Sequence, residues 1–311
     1  MHPQHTNQLR SFAREKHLIG LSMSTLEAVA KKQTGYTLKQ AYQFLHFQRR
    51  IEQELLSHRI ITTNPYTRWF RDGRMSLGQV QAFVVQFSVF SNQFLCAQLL
   101  KTINADSLDG MRASKEILAN EIGVVFNPGP GKSGMADRGV ASDPEIVSTQ
   151  GSVDGGVFYF RAAHFEWLLG VSAKLGLGFN EVGKRRHGTP ATLHFCEELM
   201  RLYGNEDYMT SQAASYAVEN WAAAGFWKEL IEGLRSFRRR RRIVLPLAFF
   251  TWHDRLEAQH AKHTQEELEE LYFMRPVDED RFISDGTEML DGVACFWDGL
   301  DEQRKHMEDY H

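Results

Sequence analysis

Helical periodicity runs through nearly all of this chain, and alternating period-two patterning is scarce. Between Leu38 and Arg59 the apolar residues Ala41, Phe44, Leu45, Phe47, Ile51 and Leu55 recur three and four apart, with Arg49, Arg50, Glu52 and Glu54 between them. Pro65 breaks that pattern, and Ser76 then stands as the N-cap of a long helix, rich in Phe and Gln, from Gln79 to Ile103. Asp106 or Ser107 caps the next, which runs to about Val125. Patterning resumes near Phe158 and continues to about Leu175. Thr189-Pro190 opens a helix to about Tyr203, and Asp207 caps one to about Leu234. Two more are predicted, from Leu245 to Tyr272 and from Asp278 to Met307. No internal repeat is present. The fold class is therefore all-α, a bundle of about seven to nine helices. Residues 1–38 read as an N-terminal arm around one short helix, and residues 39–311 as the domain.

One segment interrupts the pattern. Residues 127–156 hold seven glycines and three prolines, a long irregular insertion of the kind that serves as a lid over a site. The rest of the composition is ordinary for a folded chain. Of 311 residues, 42% are hydrophobic, and 36 Lys+Arg face 39 Asp+Glu for a net charge of −3. That balance argues against a general nucleic-acid or membrane-surface binder. The longest apolar run, Ile243 to Trp252, is about ten residues, half the ~20 a membrane span needs, and the N-terminus lacks a signal-peptide core. The three cysteines, Cys96, Cys196 and Cys295, lie far apart without a C-x-x-C pair. Neither a disulfide framework nor a thiolate zinc site is available, so a reducing, cytoplasmic setting is expected. Metal chemistry here falls to histidine and carboxylate.

Both occur where a core face is expected. In Thr251-Trp-His-Asp-Arg-Leu-Glu-Ala-Gln-His260, at about 100° per residue, Glu257 and His260 flank His253 within an arc of roughly 60°. Phe249, Phe250 and Leu256 lie on or beside that stripe. Side chains at one turn's spacing converge on a metal without bending the backbone. A charged surface helix accounts for the same residues, since Asp254, Arg255, Lys262 and His263 accompany them. Glu219 has Ser215, Tyr216, Ala222 and Ala223 as its helical neighbours. A carboxylate there needs a proton, a cation or a metal, unless it snorkels or pairs with arginine. Glu121 interrupts a stripe of Ile117, Leu118, Val124 and Val125. His164 shares its side with Phe160, Trp167 and Leu168, as an ordinary hydrogen-bonded core histidine also can. Four helices thus carry ligand-type residues on apolar faces.

The order Glu, His, Glu, then His-x-x-x-acid-x-x-His on one late helix resembles the heme-oxygenase-like di-iron oxidase family, over roughly residues 75 to 306. Supporting segments are Ala162-Ala-His-Phe-Glu-Trp-Leu-Leu, the Tyr216-Ala-Val-Glu helix, and Ala294-Cys-Phe-Trp-Asp-Gly-Leu. The resemblance implies a helical scaffold like that of thiaminase II and pyrroloquinoline-quinone synthase. It also implies two iron ions held by Glu121, His164, Glu219, His253, Glu257 and His260, with O₂ as co-substrate. The implied activity is N-oxygenation or oxidative C–C cleavage of a small amine, amino acid or fatty acid in specialised metabolism. The chain departs from the family pattern twice. Glu121 and His164 lie 43 residues apart, across the Gly-rich insertion, and Glu257 stands where Asp is common. Tyr216, Trp221, Phe249 and Trp252 are the candidate substrate-binding residues. The expected partners are a small molecule and an external reductant, with no nucleic acid and no membrane, in a chain that can pair as a homodimer.

Other readings compete. A metal-free enzyme of thiaminase II type, or a cofactorless oxidase, would use the same scaffold without the six-residue set. His253-Asp254 matches the dipeptide of HD-type metal phosphohydrolases. A ferritin-like site needs two Glu-x-x-His motifs, and only Glu257-Ala-Gln-His260 is present. Gly131-Lys132-Ser133 lacks the upstream glycine of a phosphate-binding loop. Arg235 and the run Arg238 to Arg242 could hold a carboxylate or phosphate, or form a solvated junction before the ligand helix.

Overall fold

The computed structural model describes residues 3–126, 158–160 and 164–308. Side chains at 3–5, 109, 120, 124–126, 158–160 and 256–263 lie outside the description. The Gly-rich insertion 127–156, with its expected lid, falls outside the described residues. Thirteen α-helices stand among them. They are α1 (Pro3–Glu15), α2 (Met23–Ala30), α3 (Leu38–Arg50), α4 (Arg59–Thr62), α5 (Pro65–Arg71), α6 (Leu77–Ile103) and α7 (Leu108–Ile122). There follow α8 (His164–Lys174), α9 (Pro190–Glu198), α10 (Tyr208–Ala222), α11 (Phe226–Arg241), α12 (Ala248–Met274) and α13 (Glu279–Glu308).

The all-α class holds, with more helices than the seven to nine expected. Two differences have local causes. The stretch from Asp207 to Leu234 is two helices, because Gly225 adopts φ 92° and turns the chain between α10 and α11. The flanking alanines had carried the helical pattern across that break. The stretch from Phe158 begins as a strand, and its helix starts only at His164. Strand β1 (Val124–Phe126) pairs antiparallel with β2 (Phe158–Phe160), with Val124 opposite Phe160. α7 ends at Gly123, whose φ of 72° delivers the chain directly into β1.

Several starts follow the sequence. Ser76 accepts from the Gln79 backbone N–H while the Gln79 side chain accepts from the Ser76 N–H, a complete capping box for α6. Thr189 caps α9 with Pro190 at its first position, and Asp207 caps α10.

α6 is the spine of the molecule and packs on α7, α8, α9 and α13. It alone among the described helices is long and apolar enough to cross a membrane by length and composition, yet it is a core helix. Phe83, Phe87, Phe90 and Phe94 form one stripe. They meet Phe70 on α5, Phe195 on α9, Phe249 and Phe250 on α12, and Phe296 and Trp297 on α13. The amides of α6 have a second task. Gln81 donates to the Leu175 carbonyl, Gln86 to His187, Asn92 to Gly183 and Gln98 to Ser114. The Leu175, Gly183 and His187 carbonyls, left over at helix ends and loops, are thereby satisfied, while Gln98 adds a second bond to a carbonyl inside α7. This explains a helix rich in both Phe and Gln.

Candidate metal centre

Glu121 stands in the last turn of α7, His164 opens α8, and His253 lies in the second turn of α12. The β1–β2 pair explains how residues 43 apart meet. Its register brings the end of α7 beside the start of α8. Glu121 Oε2 lies 2.6 Å from His164 Nδ1, with side chains 14% and 10% exposed. The His253 ring centroid is 4.6 Å from that of His164. One ligand-type atom from each of the three lies within 4.8 Å of the other two.

The tautomer of His253 follows from its partner. Nδ1 lies 2.7 Å from the Phe249 carbonyl oxygen, which only accepts, so Nδ1 carries a proton and donates to it. Backbone carbonyls fix metal-binding histidines in this way. Trp227 stacks on the His253 ring at 4.6 Å and 20°. Phe249 packs on both histidines, and Trp167 stacks on His164. Phe249 and Trp227 are buried, so the histidines sit against a dry aromatic wall.

The donor chemistry fits a metal. Two imidazoles and one carboxylate, with no thiolate, form the set that suits non-heme iron. A metal held there would compete with a proton for the atoms of the Glu121–His164 pair, so its binding would depend on pH.

The remaining sequence candidates divide. Glu257 and His260 follow His253 along α12, but their side chains lie outside the described residues. Glu219 is half-buried on α10. Its charge bears on two groups that the sequence reading passed over, Lys101 and Tyr203. Lys101 Nζ donates to Ser215 Oγ at 2.5 Å, one turn before Glu219, and lies 4.5 Å from the centre of the Tyr203 ring. Tyr203 donates to Gln98 at 2.7 Å. Burial holds the Lys101 ammonium below its usual range, with Glu267 and Glu219 opposing, and pushes the Tyr203 phenol well above its own. Behind burial, the charges of Glu219, Glu267 and Glu121 raise the Tyr203 phenol further. Lys101 had a sequence signal: it is the sole charge in the 27 residues of α6. The stacking of Trp227 on His253 had none.

Among the candidate substrate residues, Phe249 touches the histidines and the exposed Trp252 meets Trp167 edge-on. Tyr216 is buried with its hydroxyl donating to Gln265, and Trp221 is buried against Phe226. A groove of about 670 Å³ runs between the start of α9 and the end of α13, lined by Pro190, Ala191, Gly299 and Met307. It lies away from the three ligand-type residues.

No family model and no curated protein sequence matches the chain. Solved structures do. A domain of unknown function with a heme oxygenase-like fold from Shewanella denitrificans OS217 superposes with a TM-score of 0.56 at 15% identity, over 83% of this chain and 94% of that one. A CADD-like protein of unknown function from Nostoc punctiforme PCC 73102 gives 0.53 at 17%, over 86% and 98%. At such identities the likeness concerns the path of the backbone. With α6 as its spine and Glu121, His164 and His253 brought together at one side, the chain has a heme oxygenase-like fold.

Proposed function

We propose that this chain is an O₂-dependent non-heme di-iron oxidase or oxygenase acting on a small amine, amino acid or fatty acid, by N-oxygenation or oxidative C–C cleavage. The observation that carries the reading is the convergence of Glu121, His164 and His253 within 4.8 Å. These residues would hold one iron, and the family resemblance assigns Glu219, Glu257 and His260 to the rest of a two-iron site. Bound iron would supply the redox couple for O₂ and an open position beside the substrate. An external reductant, a cytoplasmic setting and a homodimer belong to the same reading.

The protein's own groups have definite tasks in it. His253 donates from Nδ1 to the Phe249 carbonyl, a contact that orients the ring and would make Nε2 its ligand atom. Glu121 brings a negative charge into half-buried surroundings, where it offsets cationic charge. Trp227 and Phe249 close one side of the histidine pair to water. Lys101, fixed on Ser215 one turn before Glu219, sets a basic group within electrostatic reach of that carboxylate.

Anaerobic loading with ferrous iron, followed by metal analysis and O₂-uptake measurement against panels of amines, amino acids and fatty acids, tests the proposal. Two retained irons per chain and uptake accelerated by one substrate class are expected. Failure to retain iron sinks it. The 2.6 Å Glu121–His164 contact also favours a second reading, a metal-free acid–base pair. Turnover that survives chelation, with no bound metal, selects that reading.

A further inference from the structure

The near-neutral net charge conceals a concentrated positive pole. Six arginines fall between Arg235 and Arg242, and removing them from a net charge of −3 leaves −9 on the rest of the chain. All six are exposed, and among the described residues none has a carboxylate within ion-pair distance. The α11 dipole accounts for part of this, since cations are favoured in a last turn. That dipole amounts to about half a negative charge, far less than six cations supply. Arg235 stands three and four residues before Arg238 and Arg239, and Arg238 stands three before Arg241, spacings at which like charges destabilise a helix. The cluster is therefore unfavourable for the isolated fold.

A second segment enlarges it. The loop before α6 is pressed against α11: a Cβ added at Gly73 would meet the Ser236 Cβ at 2.3 Å. Arg240 donates to the Met75 carbonyl in that loop, and the exposed Arg74 lies beside it. Acids stand near it too: Asp72 and Glu232 are exposed, and Glu308 accepts from the Gln79 side chain at the start of α6. Aliphatic side chains flank the arginines. Val244, two residues after the run, is 82% exposed, and Leu77, two residues beyond Met75, is 41% exposed.

We propose that this end of α11, with Arg74, Leu77 and Val244, docks the protein on an anionic phospholipid surface. Cations beside protruding aliphatic groups match a bilayer interface, which offers phosphate charge above an apolar boundary. A nucleic acid fits less well. Single strands are held by stacking on exposed rings, and the one aromatic residue in the run, Phe237, is fully buried. The net −9 elsewhere repels a polyanion that wraps the molecule, whereas a planar membrane meets only the positive pole.

The test is co-sedimentation of the full-length protein with phosphatidylcholine vesicles, with and without phosphatidylglycerol. Binding only to the anionic vesicles, weakened by salt, is expected. Replacing Arg238, Arg239 and Arg241 together by glutamine should weaken it about 100-fold, given the contribution of each surface cation. Arg240 is kept because it also holds Met75. Val244→Asp should weaken binding about tenfold by removing the inserted side chain. All four positions are exposed, so circular dichroism and thermal unfolding should report a folded protein in each variant. Equal binding to neutral and anionic vesicles overturns the proposal. So does arginine-dependent binding to an RNA oligonucleotide that is tighter than to the anionic vesicles.

Discussion

Asp207 shows how single groups tie local structure to the candidate centre, because it caps the helix that carries Glu219. Its carboxylate lies below the usual range, chiefly through the Thr210 backbone N–H and secondarily through Arg281. A folded value below the unfolded one means that the native state binds fewer protons. The stabilisation is therefore complete above the ordinary aspartate pKa of about 3.9 and is lost as pH falls through the lower folded value. Asp207→Asn keeps the capping oxygen but cannot titrate. The expected result is a loss below about 1 kcal/mol at neutral pH, since the group is half exposed, and a shallower decline below about pH 4, read by urea unfolding across pH. At the centre, Glu121→Gln removes the anionic donor while keeping the shape. Retained metal, measured after dialysis, should fall sharply with the far-UV spectrum unchanged.

At the scale of elements, two junctions decide the architecture. α5 and α11 cross so closely at Gly233 that an added Cβ would lie 2.2 Å from the Phe70 carbonyl oxygen. Backbone cannot swing aside as a side-chain tip does. Gly233→Ala should therefore cost about 3 kcal/mol, visible as a lower denaturation midpoint at unchanged slope. The other junction is the β1–β2 pair, whose Val124–Phe160 register holds the end of α7 against the start of α8. If the strand pairing alone positions Glu121 and His164, replacing residues 127–157 with a tight turn should leave metal retention within about threefold of the intact chain. Complete loss of retention would assign the insertion a direct part in the site.

For the whole molecule, the convergence of Glu121, His164 and His253 from α7, α8 and α12 would make metal binding a property of the folded state. A ligand that binds only the native protein stabilises it by RT ln(1 + [L]/Kd), about 2.7 kcal/mol at a hundredfold excess over Kd. Ferrous iron should raise Tm by several degrees in a concentration-dependent way, and the increase should vanish in Glu121→Gln. Calorimetry with and without chelator checks both. An unchanged Tm in the native sequence would falsify the idea that these helices are joined by a metal.

The sequence by itself determined the helical class, the capped starts of α6, α9 and α10, and the anomaly of acids and histidines on apolar faces. These are local matters, set by periodicity and by hydrogen bonds between residues three or four apart. It also marked Glu121, His164 and His253 individually. Only the tertiary structure decided that they meet, because the meeting depends on a strand register across 43 residues and on the packing of α12 against α8. The break at Gly225 was hidden because alanine continues any helical pattern, while a positive φ leaves no trace in hydrophobic spacing. Lys101 was visible as a lone charge in α6, yet its bond to Ser215, one turn before Glu219, arises from two helices far apart in the chain. Spacing along one helix is encoded in adjacent residues. Distance between helices is encoded only in how the whole core closes.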